Sequence, residues 1–164
     1  MDKFVAKSSI ALSSPTLADR MWSKLATCFN ETSFSNMRVF VLGCGPVERV
    51  WFRDSLRQIG VKSISVEKSS VQLSPITSIA KSFTHVIVNL DAYESTEDAV
   101  DALLDFRKAA PDSVVIAVSS MVVGDDFGQE RSAICDVTLR MPVTERRLRQ
   151  GLTRGEANRL DALR

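Results

Sequence analysis

Cysteine and histidine are scarce in this 164-residue chain, with three of the first and one of the second. Cys28, Cys44 and Cys135 are odd in number and far apart, so they form no disulfide framework. With His85 alone beside them they also lack the ligand pattern of a structural zinc site. They read as reduced, mostly buried thiols of a cytoplasmic protein. Long apolar runs are missing too. The opening MDKFVAKSSIALSSPTLADRM has no continuous apolar core of signal-peptide length, and nowhere is there the run of about 20 apolar residues that a membrane span needs. No membrane association is expected. Nor is there an excess of charge: 21 basic and 20 acidic residues leave a formal +1, which names no partner through bulk electrostatics. Internal repeats and low-complexity tracts are absent as well.

What is there suits one compact domain. The length is too short for two full-sized ones, and 45% hydrophobic with 25% charged residues is ordinary for a globular protein. From Arg38 onward, short apolar runs alternate with helical segments. The runs are VFVL (39–42), ISV (64–66), HVIVNL (85–90), VVIAV (114–118) and VTL (137–139). Their continuous, β-branched character predicts strands buried on both faces of a parallel sheet.

The helical segments carry their own signals. Phe52, Leu56 and Ile59 share one face, and Gly60 supplies a stop. Ser95 and Thr96 cap the next clear helix, Glu97 and Asp98 suit the positive end of its dipole, and Val100, Leu103 and Leu104 form its buried stripe. It stops near Pro111, because the residue before a proline is pushed out of helical geometry. Thr144-Glu145 opens a last helix with Leu148 and Leu152 on one side, weakened by Gly151 and Gly155. The whole reads as (βα)₅: a three-layer α/β/α sandwich around a five-stranded parallel sheet. Residues 1–37 form a Ser/Thr-rich extension with one helix expected from about Pro15 to Cys28. Residues 38–152 are the domain, and 153–164 are a tail or an extension of the last helix.

The segment RVFVLGCGPVER (38–49), the rhythm of the later strands, and RMPVTERRLRQGL (140–152) together resemble a response-regulator receiver domain of the CheY-like, flavodoxin-like class. The resemblance covers roughly 38–152. Pro46 stands where that family has a proline at the start of its first helix, and Met141-Pro142 where it has its Lys-Pro turn. It implies a part in two-component signal transduction or a phosphorelay.

The chemistry departs from the family. A receiver needs carboxylates after its first strand, since Mg²⁺ wants hard oxygen ligands. Here Gly43 and Cys44 occupy those places. The phospho-acceptor becomes Asn89, an amide that cannot form an acyl phosphate, with Asp91 the nearest carboxylate. The lysine becomes Met141 and the aromatic switch Thr138; only a hydroxyl after the fourth strand survives, as Ser119 or Ser120. Phosphoryl transfer is mainly positioning and charge stabilisation, so the resemblance implies a degenerate pseudo-receiver, with no metal, no cofactor and no catalytic residue. The expected function is phosphorylation-independent signalling through protein–protein contacts.

VLGCGPV also resembles the glycine-rich loop of S-adenosylmethionine-dependent methyltransferases, with Gly43–Gly45 against the ligand and Glu67 on its ribose. A G-x-G alone is a weak signal, and five strands are few for that fold. Charge is uneven along the chain. Asp91, Glu94, Glu97, Asp98, Asp101 and Asp105 fall in a stretch without a base, whereas arginines crowd the C-terminal 25 residues. A homodimer is expected. It would use either the final strand and helix (Thr138, Arg140, Arg146, Arg149) or the N-terminal apolar stripe (Leu17, Met21, Leu25). Receivers often pair through their fourth helix, fifth strand and fifth helix. Although LTRGEANRLDAL (152–163) faintly resembles the first helix of a LuxR-type DNA-binding domain, no recognition helix follows, so sequence-specific DNA binding is not expected of this chain alone.

Overall fold

The computed structural model describes residues 34–68 and 82–164. Leu17, Met21 and Leu25 lie outside the described residues, as does most of the stretch where a helix between the second and third strands is expected. Five parallel strands, β1 (Arg38–Cys44), β2 (Ser63–Lys68), β3 (His85–Asn89), β4 (Val114–Ser119) and β5 (Val137–Arg140), stand in the order β2-β1-β3-β4-β5. Helices α1 (Pro46–Ile59) and α3 (Glu145–Ala162) cover one face, and α2 (Thr96–Ala109) the other.

Strand alternation divides the core. Val39 and Val41 of β1 point with Ile87, Ile116, Val118 and Leu139 toward Phe52, Leu56, Leu148 and Leu152. Phe40 and Leu42 point with Val86, Val88, Val115 and Ala117 toward Leu103 and Phe106. The apolar runs of the sequence are continuous because both faces are covered. Ser95 caps α2 by accepting from the Asp98 amide, and Thr144 caps α3 by accepting from that of Arg147, each serving an N–H the helix cannot use itself.

Gly151 and Gly155 do not shorten α3; they let it lie close on the sheet. A Cβ at Gly155 would fall 2.6 Å from Val114 Cγ1, and one at Gly151 3.0 Å from Leu139 Cδ1. Their helix-propensity cost of about 1 kcal/mol each is offset by packing of Leu148 and Leu152, both fully buried. Asn158 anchors the far end, its Nδ2 donating to the carbonyls of Asp136 (2.8 Å) and Phe127 (3.0 Å).

One expectation fails. Instead of a helix between β4 and β5, residues 120–136 form turns and bends, with Asp126 in an antiparallel bridge to Thr138. Gly124 and Gly128 interrupt any helical stripe there, and the Asp125 and Asp126 carboxylates bond to backbone amides of Arg140 and Gly128. The face a receiver would build from its fourth helix is therefore absent.

The N-terminal end of the sheet carries a buried ionic group. Asp136, wholly buried, accepts from Arg107 Nη2 (2.8 Å) and the Val115 amide (2.7 Å), and Arg159 Nη1 stands 3.6 Å away. Arg107 Nη1 also donates to the Ser113 carbonyl. Beside them His85 is buried, with Nδ1 2.9 Å from Thr84 Oγ1. Burial lowers its pKa to about 4, outweighing the Glu156 carboxylate 3.8 Å from Nε2, so the ring is neutral near pH 7.

Candidate functional site at the C-terminal end of the sheet

β1 ends in a bulge, with its register to β2 shifting between Val41 and Cys44. Gly43 makes the turn at φ 73°, where a side chain would be strained; a Cβ there would also meet Ala92 Cβ and the Asn89 carbonyl at 3.0 Å. The space beside this glycine is thus filled by the chain itself, so it is not a ligand approach, and Glu67 lines neither cavity along α1. Nothing in this geometry favours the methyl-donor alternative.

Asn89, at the end of β3, uses both ends of its amide. Its Nδ2 donates to the Gly43 carbonyl at 3.1 Å, and its Oδ1 accepts from the Asp91 amide at 3.1 Å. A carboxylate at this position would have no proton for Gly43. The amide is therefore suited to tying β1 to β3, a role an aspartate could not fill.

Asp91 lies in the short 3₁₀ turn Leu90–Ala92 and reaches across to the end of β4. Its carboxylate accepts from Ser119 Oγ (2.5 Å), Ser120 Oγ (2.6 Å) and the Ser120 amide (2.7 Å). Ser119 Oγ in turn accepts from the Met121 amide at 3.0 Å. Partial burial raises the pKa of Asp91, but these hydrogen bonds outweigh it and hold the group below its ordinary value. It is an ionised acceptor with its oxygens engaged, clasping the end of β3 to that of β4.

Cys44 is buried, and burial, with Glu48 nearby, raises its thiol to about 12. The helix N-terminus beside it does not make it reactive. Met141 packs partly buried against the core behind a cis peptide to Pro142, its amide bonded to the Ser119 carbonyl at 2.9 Å. None of Gly43, Cys44, Asn89 and Met141 carries a carboxylate for Mg²⁺, and that of Asp91 is already engaged by Ser119 and Ser120. Among the described residues no group of three or more His, Cys, Asp or Glu side chains could hold a metal ion. The residues present do not fit that cation.

The residues expected at an interface separate. Thr138 is only 3% exposed, with Oγ1 against Cys135 Sγ, and cannot meet a partner; the loop bridged to β5 covers it. Arg140 is exposed but donates to the Val123 carbonyl, while Arg146 and Arg149 stand on the outer side of α3, the latter over the Phe34 ring. Sequence reasoning missed Arg147. It pairs through two nitrogens with Asp125 and also donates to the carbonyls of Arg140 and Pro142, stitching the β4–β5 loop to the start of α3. A three-residue offset from the Thr144 cap was the only hint of it.

Compared as a sequence, the chain matches no family model and none of the curated proteins. Compared as a structure, it resembles the receiver domain of the histidine kinase CKI1 from Arabidopsis thaliana, complexed with Mg²⁺ and BeF₃⁻ (16% identity, 79% of this chain and 95% of that one, TM-score 0.56). A response regulator receiver protein from Sinorhizobium medicae aligns with TM-score 0.54 over 75% and 96% of the two chains at 13% identity. The fold is that of a receiver domain. A protein described as pilus assembly-related, from Burkholderia pseudomallei, shares this receiver fold too (15% identity, 76% and 92%, TM-score 0.61). The fold therefore occurs in proteins with different described roles, and the pocket residues must discriminate. No helix among the described residues is long and apolar enough to cross a membrane.

Proposed function

We propose that this chain is a phosphorylation-independent, receiver-like signalling module of a two-component-type pathway, acting in the cytoplasm through protein–protein contacts and without catalysis. The observation that carries the reading is the Asp91 clasp. The carboxylate nearest the acceptor position already holds the Ser119 hydroxyl and the Ser120 amide and hydroxyl, while Asn89 holds Gly43. In a receiver, a hydroxyl after the fourth strand is part of the phosphoryl-binding apparatus; here a built-in anion occupies it. These bonds link the β3 and β4 ends without a phosphoryl group. Partners would then be chosen by what those surfaces carry: the acidic side of α2, the arginines of α3, and a second copy of the chain in a homodimer.

The test is incubation of the full chain with acetyl phosphate, or beryllofluoride, and Mg²⁺. Intact mass and melting temperature are expected to stay unchanged, for wild type and for Met141→Lys alike. An acid-labile gain of one phosphoryl group that disappears in Asp91→Ala would defeat the reading.

A further inference from the structure

Of the six large apolar side chains exposed among the described residues, four lie on the α1–α3 layer: Val47 and Val50 on α1, Leu160 and Leu163 on α3 and just past its end. Val47 is 81% exposed and Leu160 63%. Two cavities share a rim at the first pair. One, about 460 Å³, runs from Val47 and Trp51 to Met141 and Pro142. The other, about 640 Å³, follows the outer side of α1 from Val47 to Gln58. Their charged lining is acidic, Glu48 in the first and Asp54 in the second, and no basic residue borders either. Apolar side chains gathered on one side of a molecule mark a contact surface.

The chemistry that fits this face is present on the same layer. The outer side of α3 presents Arg154, Ala157 and Leu160, all exposed and three residues apart. Arg164 pairs with Asp161 at 3.6 Å, so Arg154 gives this side its charge. Neither Arg154 nor Asp54 enters an ion pair among the described residues. Spacing agrees as well. Both helices return from strands of one parallel sheet, so they run the same way. A two-fold axis normal to their layer therefore sets α1 of one copy antiparallel to α3 of the other. Leu160 back to Arg154 is six residues, about 9 Å, and Val47 on to Asp54 is seven, about 10.5 Å. With Leu160 over Val47, Arg154 reaches Asp54, and the small Ala157 falls across from Val50 and Trp51. The axis repeats this contact and closes the assembly at two copies.

We propose that the chain forms a two-fold dimer in which the outer face of α1 in each copy receives the C-terminal half of α3 of the other, with Asp54 paired to Arg154 across the interface. This rests on the homodimeric reading above and moves the interface away from Thr138 and Arg140.

Sedimentation equilibrium of the full chain over a concentration series tests it with two charge swaps, Asp54→Arg and Arg154→Asp. Both positions are exposed, so the core is untouched. Wild type is expected to sediment as a dimer of the 18.1 kDa chain. Each swap alone brings like charges together at both copies of the contact and should weaken the dimer by about tenfold or more. An equimolar mixture of the two variants should return to within about threefold of wild type, because only the mixed pair has opposite charges at both contacts. Swaps that leave dissociation unchanged, or a mixture no tighter than its components, overturn this interface while the homodimer stands. A wild type that stays monomeric overturns the homodimer and this interface together.

Discussion

The two ends of the one sheet solve opposite problems. At the N-terminal end Asp136 lies wholly buried between Arg107 and Arg159, next to a neutral buried His85. At the C-terminal end Asp91 is exposed and takes hydroxyl and amide donors instead of a cation. A charge in the interior must be matched by charge or it destabilises the fold; one at the rim needs only dipoles, because water serves the rest. The first end therefore depends on matched charge, and the second on dipoles and solvent. The chain has the receiver fold with Gly43, Cys44, Asn89 and Asp91 at that rim.

The largest effect expected from this contrast is at Asp136. Asp136→Ala leaves Arg107 without its counter-charge and should cost about 3–5 kcal/mol, read from urea denaturation; a loss under about 1 kcal/mol would erase the distinction between the ends. Next comes acid. Burial lowers the His85 pKa to about 4 in the folded chain from its ordinary 6.5, so the unfolded chain binds more protons between those values. Stability should thus fall as pH drops from about 6.5 to 4, by on the order of 3 kcal/mol. Melting curves across that window should flatten in His85→Gln.

Asn89→Asp comes third. It removes the donor to Gly43 and sets a carboxylate against a carbonyl, for a loss of about 1–3 kcal/mol in chemical denaturation. The smallest effect is at the rim itself. Asp91→Ala should cost about 1 kcal/mol at pH 7, since its partners can turn to water. Because its pKa is lowered in the fold, that contribution is present above the ordinary carboxylate range. It should vanish as pH falls through the lowered value, so wild type and variant would converge in acid.

The elements legible in the sequence were those fixed by local pattern. The apolar runs at 39–42, 85–90 and 114–118 became β1, β3 and β4 because burial on both faces leaves no polar alternation, and Ser95 and Thr144 cap as side chains of their type do. The β4–β5 connection was misread because alternation of strands and helices was extended over residues whose glycines and paired aspartates form turns. Gly151 and Gly155 looked like weak points, since nothing local reveals that Leu139 and Val114 press against them. At the site, the sequence showed that Asn89 carries an amide and not a carboxylate. That its amide would hold Gly43, or that Asp91 would turn to Ser119 and Ser120, depends on three strand ends meeting, which no single segment encodes.

The misread loop has a consequence for assembly. In β5 the backbone groups that face away from β4 belong to Thr138 and Arg140, and all four are taken. Thr138 exchanges both of its bonds with Asp126, the Arg140 amide donates to the Asp125 carboxylate, and the Arg140 carbonyl accepts from Arg147. This margin has no free donor or acceptor to offer an incoming strand. Of the two borders of the sheet, the one formed by β5 is thus closed to edge-to-edge pairing with another chain. Continuous sheet growth from molecule to molecule needs both borders, so the β4–β5 loop blocks it.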